Sequence, residues 1–174
     1  MLGWLPNLLT GARLVAVVPF TLLLAAASNG QSTAAAVIFI AASLTDYLDG
    51  YLARHTHHIT RFGQIADPLA DRLLIDLCVI LLAHEARLSW WLAAPLLLRD
   101  AWLLLVFERR HVTDVRVTMT GKVATALIMV SLAFLMLTES RIPEVTYAAG
   151  LATSLVAGLQ YMSRAQGGLT SKPS

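Results

Sequence analysis

Four aspartates pose the chemical question in this sequence. Asp46 and Asp49 stand at i and i+3, Asp67 and Asp71 at i and i+4, and a short segment separates the two pairs. On an α-helix these spacings put each pair on one face. At about 100° per residue, positions 46, 49, 50 and 53 fall within roughly one quarter of the wheel, with Arg54 just beside them. Two carboxylates therefore share a stripe with the small residues Gly50 and Ala53. Like charges gathered in a poorly solvated place repel one another and destabilise the fold, so the cluster calls for counter-charge. A lone Asp pair at a helix end is ordinarily capping, solvation or an ion pair. Two such pairs framing Gly50, Ala53, Arg54 and Gly63 ask for more. Hard oxygen ligands suit one or two divalent cations, Mg²⁺ or Mn²⁺. The missing bulk at Gly50 and Ala53 lets a ligand approach the backbone, and Arg54 offers a fixed cation to phosphate oxygens. Together these features suggest metal-assisted attack on a pyrophosphate-bearing substrate.

The elements that must position these residues follow from composition. Of 174 residues, 57% are hydrophobic and 14% charged, and the mean hydropathy is +0.67. An average soluble domain has about 25% charged residues, so a disordered chain or an ordinary water-soluble domain is disfavoured. Apolar runs extend from Leu8 to Ala27, and from about Thr33 to Ala53, Ile65 to Ala83, Leu88 to Phe107, Val123 to Thr138 and Val145 to Met162. At about 20 residues per crossing, six spans fit this length. The runs are too long, and too little alternating, for barrel strands. The expected fold is an all-α integral membrane protein, a six-transmembrane-helix bundle. The acidic pairs lie near the end of the second helix and the start of the third, facing each other across a turn from Arg54 to Gln64. Ionisable residues at membrane depth point to function.

Basic residues orient the bundle. Arg54, Arg61, Arg109, Arg110, Arg116, Lys122, Arg164 and Lys172 fall on one side, with only Arg87 and Arg141 on the other. The positive-inside rule then places both termini and the active site at the cytoplasmic side. The expected location is a bacterial cytoplasmic membrane, with lipids as neighbours. Basic residues this few and scattered argue against nucleic-acid binding. The first run lacks the basic n-region and cleavage site of a signal peptide. A single membrane domain over residues 1–163 is expected, followed by a flexible tail over 164–174. Cys78 is read as a small buried apolar side chain.

The stretch Asp46-x2-Asp49-Gly50-x2-Ala53-Arg54-x8-Gly63-x3-Asp67-x3-Asp71 resembles the signature of the CDP-alcohol phosphotransferases at every fixed position. The signature covers 26 residues, and the six-helix layout extends the similarity over most of the chain. The resemblance implies transfer of a phosphatidyl or phosphobase group from a CDP-linked donor to an alcohol, with release of CMP. It implies that Asp46, Asp49, Asp67 and Asp71 hold two metal ions and that Asp71 is the base for the acceptor hydroxyl. It further implies that Asp49, Gly50, Ala53, Arg54 and Gly63 line the CDP site. A homodimer is a family expectation only.

For the acceptor, Pro6-Asn7-x2-Thr10-x2-Arg13 resembles the opening of both phosphatidylglycerophosphate synthases and cardiolipin synthases. Capping by Asn7 and snorkelling of Arg13 are the plainer readings. Gly121-Lys122-x2-Thr125 resembles glycerophosphate-using members, whereas Arg99-Asp100 leans toward cardiolipin synthases. Arg99, Arg116, Lys122, Asn7 and Thr10 are the candidate acceptor-binding residues. The resemblance implies CDP-diacylglycerol as donor, and cations at Arg99, Arg116 and Lys122 favour glycerol 3-phosphate as acceptor, with phosphatidylglycerol the alternative. Arg99 and Asp100 themselves read as either a neutralising pair or a cavity wall that receives the acceptor phosphate. His55, His57 and His58 read as a solvated turn, and Trp90, Trp91 and Trp102 as an interfacial belt or core packing. A prenyltransferase of known layout needs more helices than this chain supplies. An ion carrier needs acidic residues near mid-membrane with access from both sides.

Overall fold

Long apolar runs without turn residues leave helix as the way to satisfy backbone polar groups, and six α-helices form among the described residues. A computed structural model describes the backbone of residues 5–56, 61–110 and 119–167, and the side chains of residues 11–45, 72–103 and 120–158. The helices are α1 (Leu5–Ala25), α2 (Thr33–Thr56), α3 (Arg61–His84), α4 (Trp90–Arg110), α5 (Met119–Leu137) and α6 (Ile142–Gly167), with a 3₁₀ turn at Ser28–Gly30. Among the described residues there is no strand. The helix through Thr120–Leu137 is long and apolar enough to cross a membrane, and shorter apolar stretches occupy Gly11–Ala25 and Thr33–Thr45.

Hydroxyl side chains are satisfied within their own helices. Thr21 donates to the Val17 carbonyl (2.8 Å), Ser43 to Phe39 (2.8 Å), Thr45 to Ala41 (2.7 Å) and Thr153 to Ala149 (2.8 Å). This local bonding lets a polar residue sit in an apolar run without an external partner. Apolar side chains occupy both sides of the helices. Phe20, Leu24, Phe39, Val79, Leu82, Leu132 and Tyr147 are buried, while Val15, Leu22, Val37, Leu98 and Val145 are each at least 60% exposed. Trp90, Trp91 and Trp102 are also exposed, which argues against core packing.

α1 lies against α2 and α3, α5 packs along α6, and α2 also touches α5. Phe20 and Phe39 join α1 to α2 with ring centroids 5.9 Å apart. Ser131 and Thr146 share a hydrogen bond of 2.8 Å between α5 and α6, and Gly150 allows the close approach there. A Cβ at position 150 would lie 3.1 Å from both Ile128 Cγ1 and Leu127 Cβ.

The turns after α1, α3 and α5 meet at one end of the bundle. Gly30, at φ +64°, sits where a Cβ would come within 3.0 Å of both Glu85 and Arg87. The Ser32 amide donates to the Met136 carbonyl (3.1 Å). The Arg87 guanidinium donates to the Leu135 carbonyl (2.8 Å) and to the Thr138 carbonyl, so a cation caps the end of α5. The Ser89 amide donates to Glu144 Oε1 (3.2 Å), which ties the start of α4 to the first turn of α6. This latch puts the acidic segment at the other end of the bundle, where α2 ends and α3 begins.

Two boundaries differ from expectation. α2 continues to Thr56 and α3 starts at Arg61, so residues 54–56 and 61–64 of the expected Arg54–Gln64 turn are helical. Polar residues end an apolar run without ending a helix, and His55 belongs to α2 rather than to a turn. The aspartates therefore lie two to three turns inside the helix ends. Likewise α6 continues through Gly167, so residues 164–167 of the expected tail are helical.

Candidate active site

The acidic segment extends the buried stripes of two neighbouring helices. On α2 the buried residues Ala35, Ala36, Phe39 and Ala42 are continued, in steps of three, four and seven, by positions 46, 49, 50 and 53. On α3 the buried residues Leu74, Ile75, Cys78 and Leu82 are continued backwards by positions 71 and 67. The same helical register carries the core-facing stripe into the signature on both elements.

Depth matches as well as azimuth. Asp46 and Asp49 precede the end of α2 by about as many residues as separate Asp71 and Asp67 from the start of α3. At 1.5 Å per residue, both pairs lie roughly 10–15 Å along the axis from the helix ends. α2 and α3 touch, and along each helix the carboxylate-bearing positions stand at similar distances from the ends that adjoin in sequence. Gly50 and Ala53 on α2, and Gly63 on α3, fall within or beside these stripes. The donor set is all carboxylate oxygen, which fits a hard divalent ion. The side chains of Asn7, Thr10, Asp46, Asp49, Arg54, Asp67 and Asp71 lie outside the described ones, and Arg116, His57 and His58 lie outside the described residues altogether.

Immediately after Asp71 on α3 a polar cluster begins. The Arg72 guanidinium on α3 contacts Asp100 Oδ1 on α4. Arg99 Nε and Nη2 both lie 2.7 Å from the same oxygen. Asp100 is 2% exposed. Asp76, one turn after Arg72, interacts electrostatically with Asp100, Arg72 and Arg99. Tyr147, fully buried on α6, lies within electrostatic reach of Asp100, Arg99 and Asp76. Arg99–Asp100 is thus an internal pair, joined by Arg72 and Asp76, neither of which had been assigned a role from the sequence. Their signal was present: an Arg and an Asp at i and i+4 inside one apolar run, and an Arg-Asp dipeptide inside the next, leave four charges that have to find one another in a poorly solvated interior.

Arg13 is also placed differently from a snorkelling residue, being only 3% exposed on α1. Lys122 is exposed in the first turns of α5, at the same end as the acidic segment. Cys78 is buried, as expected. An open polar cavity lined by Arg87, Ser89, Glu139, Arg141 and Glu144 lies at the latched end, remote from the signature. Its Arg87 and Glu144 are engaged in capping helices, which makes it part of the latch rather than a reaction site.

Residues 3–158 match the family described as CDP-alcohol phosphatidyltransferase. The chain is similar to the CDP-diacylglycerol--glycerol-3-phosphate 3-phosphatidyltransferase of Escherichia coli strain K12, with 34% identity across 95% of this chain and 96% of that protein. The protein of the same description from Shigella sonnei strain Ss046 gives the same identity and coverage. That of Shigella flexneri serotype 5b is 34% identical across 76% of each chain.

Proposed function

The chain belongs to the CDP-alcohol phosphatidyltransferase family, and on that premise we propose that it transfers the phosphatidyl group of CDP-diacylglycerol to glycerol 3-phosphate, releasing CMP. The observation that carries the reading is the continuation of the buried stripes of α2 and α3 into Asp46, Asp49, Asp67 and Asp71. The relatives' descriptions favour glycerol 3-phosphate over phosphatidylglycerol as acceptor, despite the Arg99-Asp100 dipeptide.

Asp46, Asp49, Asp67 and Asp71 would hold two Mg²⁺ or Mn²⁺ ions. Bound there, the ions would neutralise the pyrophosphate and stabilise charge on the reacting and departing oxygens. Arg54 binds the phosphates, and Gly50, Ala53 and Gly63 keep side-chain bulk away from the CDP moiety. Asp71 takes the proton of the acceptor hydroxyl as its oxygen attacks the phosphatidyl phosphorus, because a free alkoxide is scarce at neutral pH. The new P–O bond forms as the bond to the CMP phosphate breaks, and CMP leaves with the bonding electron pair. Lys122, with Arg116, Asn7 and Thr10, receives the acceptor. Arg99 is held by Asp100.

The chain crosses the membrane six times, with the signature end and both termini in the cytoplasm. Two features support this: the apolar residues on the outside of the helices and the basic excess at the signature end. The protein works in phospholipid biosynthesis in a bacterial cytoplasmic membrane.

The carboxylate assignment is tested with Asp71→Asn. This variant is expected to retain CDP-diacylglycerol binding and lose acceptor-dependent CMP release by at least about 100-fold. Near-normal turnover would remove Asp71 from the role of base.

A further inference from the structure

The reaction described above makes no use of the cluster centred on Asp100. One oxygen of this buried carboxylate receives Arg72 from α3 and Arg99 from α4, and Asp76 interacts with the same three groups. Both arginines converge on the carboxylate of Asp100, with Asp76 beside them, so the cluster holds its cations internally instead of presenting them to a phosphate. Buried paired charges do resist separation, because parting them leaves an unmatched charge in a medium that solvates it poorly.

What the cluster restrains is the rotation of α3. Beyond Arg72 the buried apolar face of α3 comprises Leu74, Ile75, Cys78, Val79, Leu82 and Ala83, side chains that pack without a directional bond. The Arg72–Asp100 contact is directional, and it acts on the residue that follows Asp71. An α-helix transmits azimuth stiffly from one residue to the next, so fixing position 72 fixes 71 and, one turn earlier, 67. A carboxylate roughly 6 Å from the helix axis moves about 2 Å when the helix turns by about 20°. Displacements of about 1 Å cost on the order of 100-fold in rate.

The geometry points to Asp100 as a positioning residue for phosphatidyl transfer: by holding Arg72 from α4, it fixes the rotation of α3 that sets positions 67 and 71 against positions 46 and 49. This inference rests on the proposed roles of Asp67 and Asp71. Asp100 acts through Arg72 and does not itself touch substrate.

The test uses the full-length protein in detergent or nanodiscs with Mg²⁺. It compares wild type with Asp100→Asn, Asp100→Glu, Arg72→Lys and Asp71→Asn. For each, kcat per folded enzyme, KM for CDP-diacylglycerol, KM for glycerol 3-phosphate and the unfolding temperature are measured. Asp100→Asn is expected to lower kcat by about 30- to 100-fold with both KM values within about twofold, and Asp100→Glu to recover most of the loss. Arg72→Lys, which keeps the charge without the planar fork, is expected to lower kcat by about 10-fold, and it serves as the readout if Asp100→Asn does not fold. Unchanged kcat in the folded variants overturns the proposal. So does an effect confined to the unfolding temperature, which marks a merely structural cluster, or one confined to KM for glycerol 3-phosphate, which marks an acceptor site. Inactive Asp71→Asn beside fully active Asp100→Asn refutes positioning alone. Active Asp71→Asn refutes the carboxylate reading on which positioning depends.

Discussion

Arg72 and Asp100 meet at Oδ1 of the carboxylate, joining α3 to α4 one residue beyond Asp71. The helix that carries Asp67 and Asp71 is thereby tied to α4. The opposite end is closed independently, by Arg87 on the carbonyls of α5 and Glu144 on the amide of Ser89.

Arg87→Ala removes two charge-assisted hydrogen bonds to the end of α5. A loss of about 2 kcal/mol of stability is expected, read as a lower unfolding temperature in detergent. Because Arg87 lies at the latched end, kcat per folded enzyme should stay near wild type at permissive temperature. A large fall in kcat without loss of stability would show that the two ends are coupled.

Gly150→Ala introduces a Cβ at 3.1 Å from Ile128 and Leu127 and 3.2 Å from the Ala124 carbonyl. A destabilisation of about 1–3 kcal/mol is expected as α5 and α6 are forced apart. Gly158→Ala, on the same helix with nothing within 4 Å of the added atom, should be neutral or stabilising by up to about 1 kcal/mol, because alanine favours helix. Thermal unfolding of the two variants side by side measures the difference.

These contrasts mark what was legible in the sequence. Spacing alone placed Asp46, Asp49, Asp67 and Asp71 on helix faces, and the apolar runs located six helices. The runs misplaced the helix ends, because residues such as His55 and Arg61 are polar yet helical: hydropathy reports the solvent a segment prefers, whereas the helix continues for as long as its backbone bonds do. The Arg72–Asp100 contact was hidden because it depends on how α3 and α4 pack, which no local spacing encodes. The burial of Arg13 belongs to the same class. An arginine two turns inside a helix looks ready to extend to water until the neighbouring helices are in place.

Chelation tests the donor set. EDTA is expected to abolish CMP release, with Mg²⁺ or Mn²⁺ restoring it and Ca²⁺ restoring it less well, because its longer and more variable coordination suits a compact phosphoryl site poorly. Full turnover in chelator would exclude a role for the four carboxylates as metal ligands.

Lys122→Ala addresses the acceptor. Lys122 is exposed near the start of α5, and its loss should raise KM for glycerol 3-phosphate by about 10-fold while KM for CDP-diacylglycerol changes by less than about twofold. Equal changes in both would move Lys122 away from the acceptor site.

The most direct measurement of the central claim is CMP release by the purified protein from CDP-diacylglycerol with Mg²⁺, comparing glycerol 3-phosphate, phosphatidylglycerol and no acceptor. CMP release that depends on glycerol 3-phosphate, with phosphatidylglycerophosphate formed in equal amount, is the predicted result. Release with phosphatidylglycerol alone, or with neither acceptor, would contradict it.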